Sequence, residues 1–226
     1  MLEDRPFKSA VYEQWARLGQ ALAHPRRVEL LDLLCQGPMT VETLARRAEL
    51  SVGSTSQHLA RLRAARLVET ERAGTHVRYR LAEPGMLNLL LSLRDLARRR
   101  YAEVDAAVAA FLDGRPVGEP VDPAGLEARL AAGDAILIDV RPADEYAAGH
   151  LPGAWSVPLE QLHQAIARLP RDRTVVAYCR GPYCVLAVHA EEALRQAGFR
   201  AARLSVGPAD FRRTGQPLET APREEA

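Results

Sequence analysis

Two cysteines close a short loop, Cys179-Arg180-Gly181-Pro182-Tyr183-Cys184, with Val185 following. The loop comes after Thr174-Val175-Val176-Ala177-Tyr178, a β-branched and aromatic run that reads as a strand. It precedes Leu186-Ala187-Val188-His189-Ala190-Glu191-Glu192-Ala193-Leu194, whose apolar spacing is helical. A thiol on a strand-to-helix turn faces the positive end of the helix and a ring of backbone N–H groups, and both favour the thiolate. Cys179 is therefore expected to present an ionised, accessible sulfur.

The elements that must position this loop occupy only the second half of the chain. At 226 residues the sequence has room for one large domain or two of ordinary size, and its apolar share of 47% is that of a globular protein. Residues 1–116 carry 18 basic against 14 acidic side chains, and residues 117–226 carry 12 against 15. The sign of this split suits an N-terminal half that meets phosphate and a C-terminal half that does not. Residues 1–5 are charged and no apolar run follows them, so a cytoplasmic protein is expected. The most apolar stretch, residues 87–96, is too short and too charged to span a membrane. Three cysteines make no disulfide framework.

The first half reads as helices over residues 9–23, 25–36, 41–49 and 52–65, punctuated by His24-Pro25, Gln36-Gly37-Pro38 and Leu50-Ser51. Ser54, Thr55, Gln57, His58 and Arg61 give the last of these a hydrogen-bonding face, as a reader of the DNA major groove requires, although an ordinary solvated face has the same composition. Two alternating runs, residues 67–72 and 76–81, then form a basic hairpin around Ala73-Gly74-Thr75. With Ala21-Leu22-Ala23-His24-Pro25-Arg26-Arg27, Ser56-Gln57-His58-Leu59-Ala60-Arg61-Leu62 and Gly74-Thr75-His76-Val77-Arg78-Tyr79 in order, residues 9–113 resemble the ArsR/SmtB family of winged-helix repressors. The resemblance implies a homodimer on double-stranded operator DNA. Ser54, Thr55, Gln57, His58 and Arg61 would lie near bases or phosphates, and Arg72, His76 and Arg78 would touch the backbone from the wing.

A single helix is expected from Pro84-Gly85 to about Asp113, with an apolar side wide enough to need a second copy of the chain. Metal-sensing relatives use Cys or His ligands, but here the helix after Thr40 has no Cys-x-Cys, the long terminal helix has no His, and Cys35 is expected in the core; no metal site and no cofactor is expected.

Residues 114–121 read as a turn-rich linker. From Asp122 strands and helices alternate: helix 123–132, the buried strand of residues 135–140, helices near 144–148 and 159–169, the strand before the loop, the helix after it, and a strand near 201–205. This is an α/β fold with a central parallel sheet and its site beyond the C-terminal strand ends. Leu137-Ile138-Asp139-Val140-Arg141, Glu145-Tyr146, Gly149-His150-Leu151-Pro152-Gly153-Ala154 and Tyr178-Cys179-Arg180-Gly181 resemble a single rhodanese domain over residues 122–219, leaving 220–226 as a tail. That resemblance implies that Cys179 takes a sulfane sulfur from thiosulfate or polysulfide and becomes a persulfide. The N–H groups of Arg180, Gly181, Tyr183, Cys184 and Val185 would cradle it, and Arg180 would add positive charge. Asp139 and Arg141 would hold the strand ends together, and His150 would be scaffold.

Cys184 admits three roles: a thiol that resolves the Cys179 persulfide, a partner in binding a soft ion such as arsenite, or a small buried hydrophobe. Three functions follow. The first is a winged helix-turn-helix regulator that senses sulfane sulfur or oxidant through Cys179, with some sulfurtransferase activity. The second is a thiosulfate or persulfide sulfurtransferase with an accessory DNA-binding domain, and the third an arsenite-responsive repressor using Cys179 and Cys184.

Overall fold

The computed structural model describes residues 4–221; the rest of the expected tail, 222–226, lies outside the described residues. Two compact units part between Leu93 and Arg94.

In the first unit α1 (Arg5–Leu22) stops at His24-Pro25, and α2 (Pro25–Leu34) begins with the His24 ring accepting the Arg26 N–H at 3.2 Å. Arg27 is buried and donates to the carbonyls of Ala21 and Gln20, satisfying the end of α1. Strand β1 (Met39–Thr40) leads into α3 (Val41–Arg47), whose N-cap Thr40 accepts from the Thr43 N–H at 3.3 Å. Ser51 caps α4 (Val52–Ala64) in the same way at 3.1 Å. Strands β2 (Val68–Ala73) and β3 (His76–Leu81) pair antiparallel, and β1 adds on the far side of β3. Leu30, Leu31, Leu44, Leu59 and Leu62 are wholly buried between these helices, so the leucine spacing built the core as expected.

The single helix expected over residues 84–113 is two helices, α5 (Gly85–Arg100) and α6 (Ala102–Leu112). Tyr101 between them is extended, at φ −121° and ψ 105°. The break has an electrostatic reason. Arg98, Arg99 and Arg100 fill the last turn of α5, and Glu103 and Asp105 the first turn of α6, each opposite in sign to its helix end.

In the second unit the strands β4 (Ala135–Asp139), β5 (Trp155–Ser156), β6 (Thr174–Tyr178) and β7 (Ala201–Arg203) form one parallel sheet in the order β5-β4-β6-β7. Helix α7 (Pro123–Ala131) precedes the sheet, and α8 (Ala143–Ala148) follows β4. The helix expected over 159–169 is short pieces, with α9 (Leu162–Ala165) between two 3-10 turns. Helices α10 (Leu186–Gln196) and α11 (Pro208–Arg213) complete the unit. Strand alternation sends Ile136, Ile138, Val175, Ala177 and Cys179 to one face, against α9 and α10. Leu137, Val176 and Tyr178 take the other face, with Leu126 of α7. The linker segment is held: the Gly118 N–H donates to Glu191 at 2.8 Å, and the Gly118 carbonyl accepts from Arg203 at 2.6 Å.

Candidate functional site

The period of β6 fixes where the sulfur goes. Cys179 continues the inward-facing set of Val175 and Ala177, so its side chain enters the apolar layer under α10 and is only 2% exposed. Burial, followed by its hydrogen bond to Cys184, pushes the Cys179 thiol well above the ordinary thiol range, while N–H groups of Ala187 and Gly181 pull the other way. The expected accessible thiolate at Cys179 is therefore corrected. Desolvation of the charged form outweighs the amide nest.

Cys184 behaves in the opposite sense. It is half-buried, and its pKa is lowered to about 7. The hydrogen bond from Cys179 acts first, against burial, and the Arg180 charge and the N–H groups of Arg180 and Leu186 add to it. The Cys179 thiol also stands 3.2 Å from the Cys184 carbonyl oxygen, which accepts from it. Between the two sulfurs the proton is thus favoured on Cys179 and the charge on the outer member, Cys184. Pro182, Tyr183 and Val185 are exposed along the loop, and Gly181 is partly so.

Arg180 adds positive charge beside the sulfurs, as expected, and is itself held by a carboxylate. Its guanidinium forks onto Glu145 of α8, with Nη2 to Oε1 at 2.7 Å and Nε to Oε2 at 3.0 Å. Burial works against the Arg180 charge, and Glu145 overcomes it, so the group stays cationic but is spoken for. Glu145 is 1% exposed. Sequence reasoning quoted Glu145 within a motif without giving it this role, because 35 residues separate the partners and no local spacing reports the pairing.

The scaffold beneath the loop is as expected. Asp139 and Arg141 are fully buried and pair at 2.6 Å, and Arg141 also donates to the Gly149 carbonyl at 2.8 Å. His150 stacks on Tyr146 at 3.6 Å, and the Tyr178 hydroxyl accepts the Leu151 N–H at 3.0 Å. Gly207, before α11, lies against the back of the loop. A Cβ on Gly207 would come within 2.2 Å of the Arg180 carbonyl oxygen and 2.7 Å of that of Cys179, so only glycine fits there. Sequence reasoning missed Gly207 and Asp210, which folding brings to the loop from about 30 residues away.

In the first unit, Gln57 and Arg61 are exposed on α4 and Ser54 is partly exposed. Ser56, one position before Gln57, is exposed as well and was not singled out from the sequence. Thr55 is corrected: it is fully buried and its hydroxyl donates to the Ser51 carbonyl at 3.0 Å, so it shapes the helix start and offers nothing to a base. His58 is partly buried, and its ring packs against that of His24, tilted by 46° at a centroid distance of 4.6 Å. Burial, then the charges of His24, Arg27, Arg61 and Arg26, lower its pKa. On the hairpin, the register pairs Arg72 with Val77, Glu71 with Arg78, and Ala73 with His76. Opposed residues share a face, so His76 and Arg78 lie on one side of the wing and Arg72 on the other. Arg72 and His76 are exposed and Arg78 partly so.

Among the described residues no group of three or more His, Cys, Asp or Glu side chains could hold a metal ion, and no helix is long and apolar enough to cross a membrane.

Residues 122–211 match the family model of the rhodanese-like domain, and residues 24–70 that of the bacterial regulatory proteins of the arsR family. The chain is 40% identical over 212 residues to the HTH-type transcriptional regulator Rv0324 of Mycobacterium tuberculosis, covering 94% of this chain and 93% of that one. A sulfurtransferase of Allochromatium vinosum is 38% identical over 61 residues, which are 26% of this chain and 57% of that protein. A solved homodimeric winged helix-turn-helix DNA-binding domain, fragment 1–100 of Mb0332 from Mycobacterium bovis, is 37% identical. It covers 43% of this chain and 89% of its own, with a TM-score of 0.41. Winged helix, parallel-sheet domain and full-length match converge: the chain belongs to the ArsR-family transcriptional regulators, in the form that carries a C-terminal rhodanese-like domain.

Proposed function

We infer that this regulator binds operator DNA as a homodimer and that sulfane sulfur, delivered to the Cys179–Cys184 pair, changes its grip on that DNA. The observation that carries this reading is the pair itself: a buried Cys179 thiol that donates to the Cys184 backbone carbonyl at 3.2 Å, beside a half-buried Cys184 whose pKa is lowered to about 7.

The chemistry follows from the shared proton. The Cys184 thiolate accepts the Cys179 proton, and the resulting Cys179 thiolate is met by the N–H groups of Gly181 and Ala187. It attacks the sulfane sulfur of a polysulfide such as HS–S⁻. A new S–S bond forms, the donor S–S bond breaks, and sulfide leaves with the electron pair. Cys184, now a thiol, loses its proton to solvent and attacks the Cys179 sulfur of the persulfide. The intramolecular disulfide forms and a second sulfide departs. In sum the two thiols lose two electrons, which reduce the transferred sulfur to sulfide.

Gln57, Arg61, Ser54 and Ser56 on α4, with His76 and Arg78 on one face of the wing and Arg72 on the other, are groups available to DNA. Pairing of copies is supported by the apolar side chains left exposed on α1 and α5: Phe7, Tyr12, Trp15, Leu89, Leu93 and Leu96.

Mass spectrometry of the polysulfide-treated chain tests the reading. The expected products are a Cys179–Cys184 disulfide in the unaltered chain and, in Cys184→Ser, one added sulfur on Cys179 that forms more slowly because the base is gone. An unaltered chain that gains neither sulfur nor the disulfide refutes it.

A further inference from the structure

A ring of four alternating charges stands behind the sulfur loop, and neither the loop chemistry nor the DNA-binding face uses it. Arg94 Nη2 lies 2.9 Å from Asp95 Oδ1 and 2.7 Å from Asp210 Oδ1. Arg213 Nη1 lies 2.7 Å from Asp95 Oδ2, and Arg213 Nη2 lies 4.0 Å from Asp210 Oδ1, which closes the ring. All four side chains belong to the second unit and are at most about one-third exposed. A closed network of this kind holds its geometry better than an isolated surface pair.

The ring meets the loop chiefly through Asp210. The second carboxylate oxygen of Asp210 accepts the Gly207 N–H at 3.1 Å. Gly207 in turn lies so close to the carbonyls of Cys179 and Arg180 that no added atom fits between them. A shift that carries the Cys179 or Arg180 carbonyl toward Gly207 therefore cannot be absorbed in a gap and must displace Gly207. The Arg94 guanidinium also reaches the loop directly, since its Nη1 would stand 3.9 Å from a Cβ on Gly181.

On the other side, Arg94 and Asp95 lie on α5, a helix unbroken from Gly85 to Arg100. Its N-terminal part buries Met86, Leu90 and Leu91, in the first unit. A second attachment joins the end of α6 to the helix that begins at the loop. Arg115 Nη1 meets Glu192 of α10 at 3.0 Å, and Phe111 packs edge-on against His189 of α10 at 6.3 Å.

We propose that Arg94 and Asp210 are the positioning residues that transmit the state of the Cys179–Cys184 loop to α5, through Gly207. In the dithiol form the ring is closed. When the two sulfurs join, the loop draws in, Gly207 shifts, and the Asp210 carboxylate no longer serves the Gly207 N–H and Arg94 together. The ligand-dependent difference between states is thus the Arg94–Asp210 contact, as coupling between two sites requires.

This inference rests on the function proposed above, and one experiment separates the two. Operator affinity of the full chain is measured before and after polysulfide, with sulfur uptake followed in parallel by mass spectrometry. The operator is a duplex selected by the untreated protein from a random library. The unaltered chain is expected to change affinity at least about fivefold, the lower end of ordinary allosteric coupling. Arg94→Met is expected to form the same sulfur products while its affinity changes less than about twofold, a dissociation that a purely structural role would not produce. Arg213→Met, which removes the bridge to Asp95 and the long contact to Asp210 but leaves Arg94–Asp210, is expected to fall between the two and serves if Arg94→Met does not fold. A variant with normal sulfur uptake and a full DNA response overturns the inference alone. An unaltered chain that takes up no sulfur, or takes it up without any DNA response, overturns the proposed function and this inference with it.

Discussion

Removing the inner thiol, Cys179→Ala, takes away the largest influence that lowers the Cys184 pKa. The Cys184 value should then climb from about 7 toward the ordinary thiol value of 9.0. At pH 7 a thiol with a pKa of about 7 is about half ionised, and one at 9 only about 1%. Nucleophilicity per thiolate rises with pKa, with a Brønsted slope of about 0.4–0.5, so each remaining thiolate reacts about eightfold faster. At the full limit the variant therefore reacts about sixfold more slowly than the unaltered chain at pH 7, and about eightfold faster at pH 10. The Arg180 charge and the N–H groups of Arg180 and Leu186 remain and hold the value down, while burial, which also remains, pushes it up. The assay is the rate of reaction with a pyridyl disulfide from pH 6 to 10, with mass spectrometry to assign the modified cysteine. The signature is a crossing of the two pH–rate curves. An inflection that stays near 7 in Cys179→Ala, with no crossing, refutes the shared-proton account.

Three further outcomes are expected. Glu145→Gln leaves the largely buried Arg180 without its carboxylate and should destabilise the second unit by about 3 kcal/mol in urea titration; a loss below about 1 kcal/mol would show that the pair does not hold the loop. Gly207→Ala forces a Cβ into the Arg180 carbonyl, and overpacking of this kind costs about 1–3 kcal/mol. Its sulfur uptake should fall while untreated DNA binding persists, and normal uptake at unchanged stability would contradict the close contact. Arg61→Ala should weaken operator binding by about 1–3 kcal/mol, whereas Thr55→Val should cost about 1 kcal/mol of stability and change DNA affinity less than about twofold; competition gel shifts that rank the two the other way would reverse the assignment of the α4 face.

The legible parts of the sequence were those in which neighbours along the chain decide the outcome. The leucine spacing of α2, α3 and α4 and the alternation of β2 and β3 each report local burial, and each element formed near its expected place. The strand–loop–helix around Cys179 was legible for the same reason. Ionisation at that loop was not, because it depends on a balance. The helix start and amides favour charge at Cys179, yet strand period places the sulfur in the apolar layer, and the proton then stays on Cys179 in preference to Cys184. Thr55 was assigned to the outer face of α4 by residue type, whereas its place beside buried Leu59 and Leu62 marks it as inward. The charges of residues 98–105 did announce the break at Tyr101, but a continuous apolar stripe masked them. The ring of Arg94, Asp95, Asp210 and Arg213 left no local trace, since its two halves are more than 100 residues apart.

The most direct test of sulfur-controlled DNA binding is a set of operator titrations before and after polysulfide. The proteins are the unaltered chain, Cys184→Ser and Cys179→Ala. The expected result is an affinity change of at least about fivefold in the unaltered chain, reversed by a dithiol reductant and absent from Cys179→Ala. Equal operator affinity across all treatments, with the Cys179–Cys184 disulfide confirmed in the same samples, would contradict it.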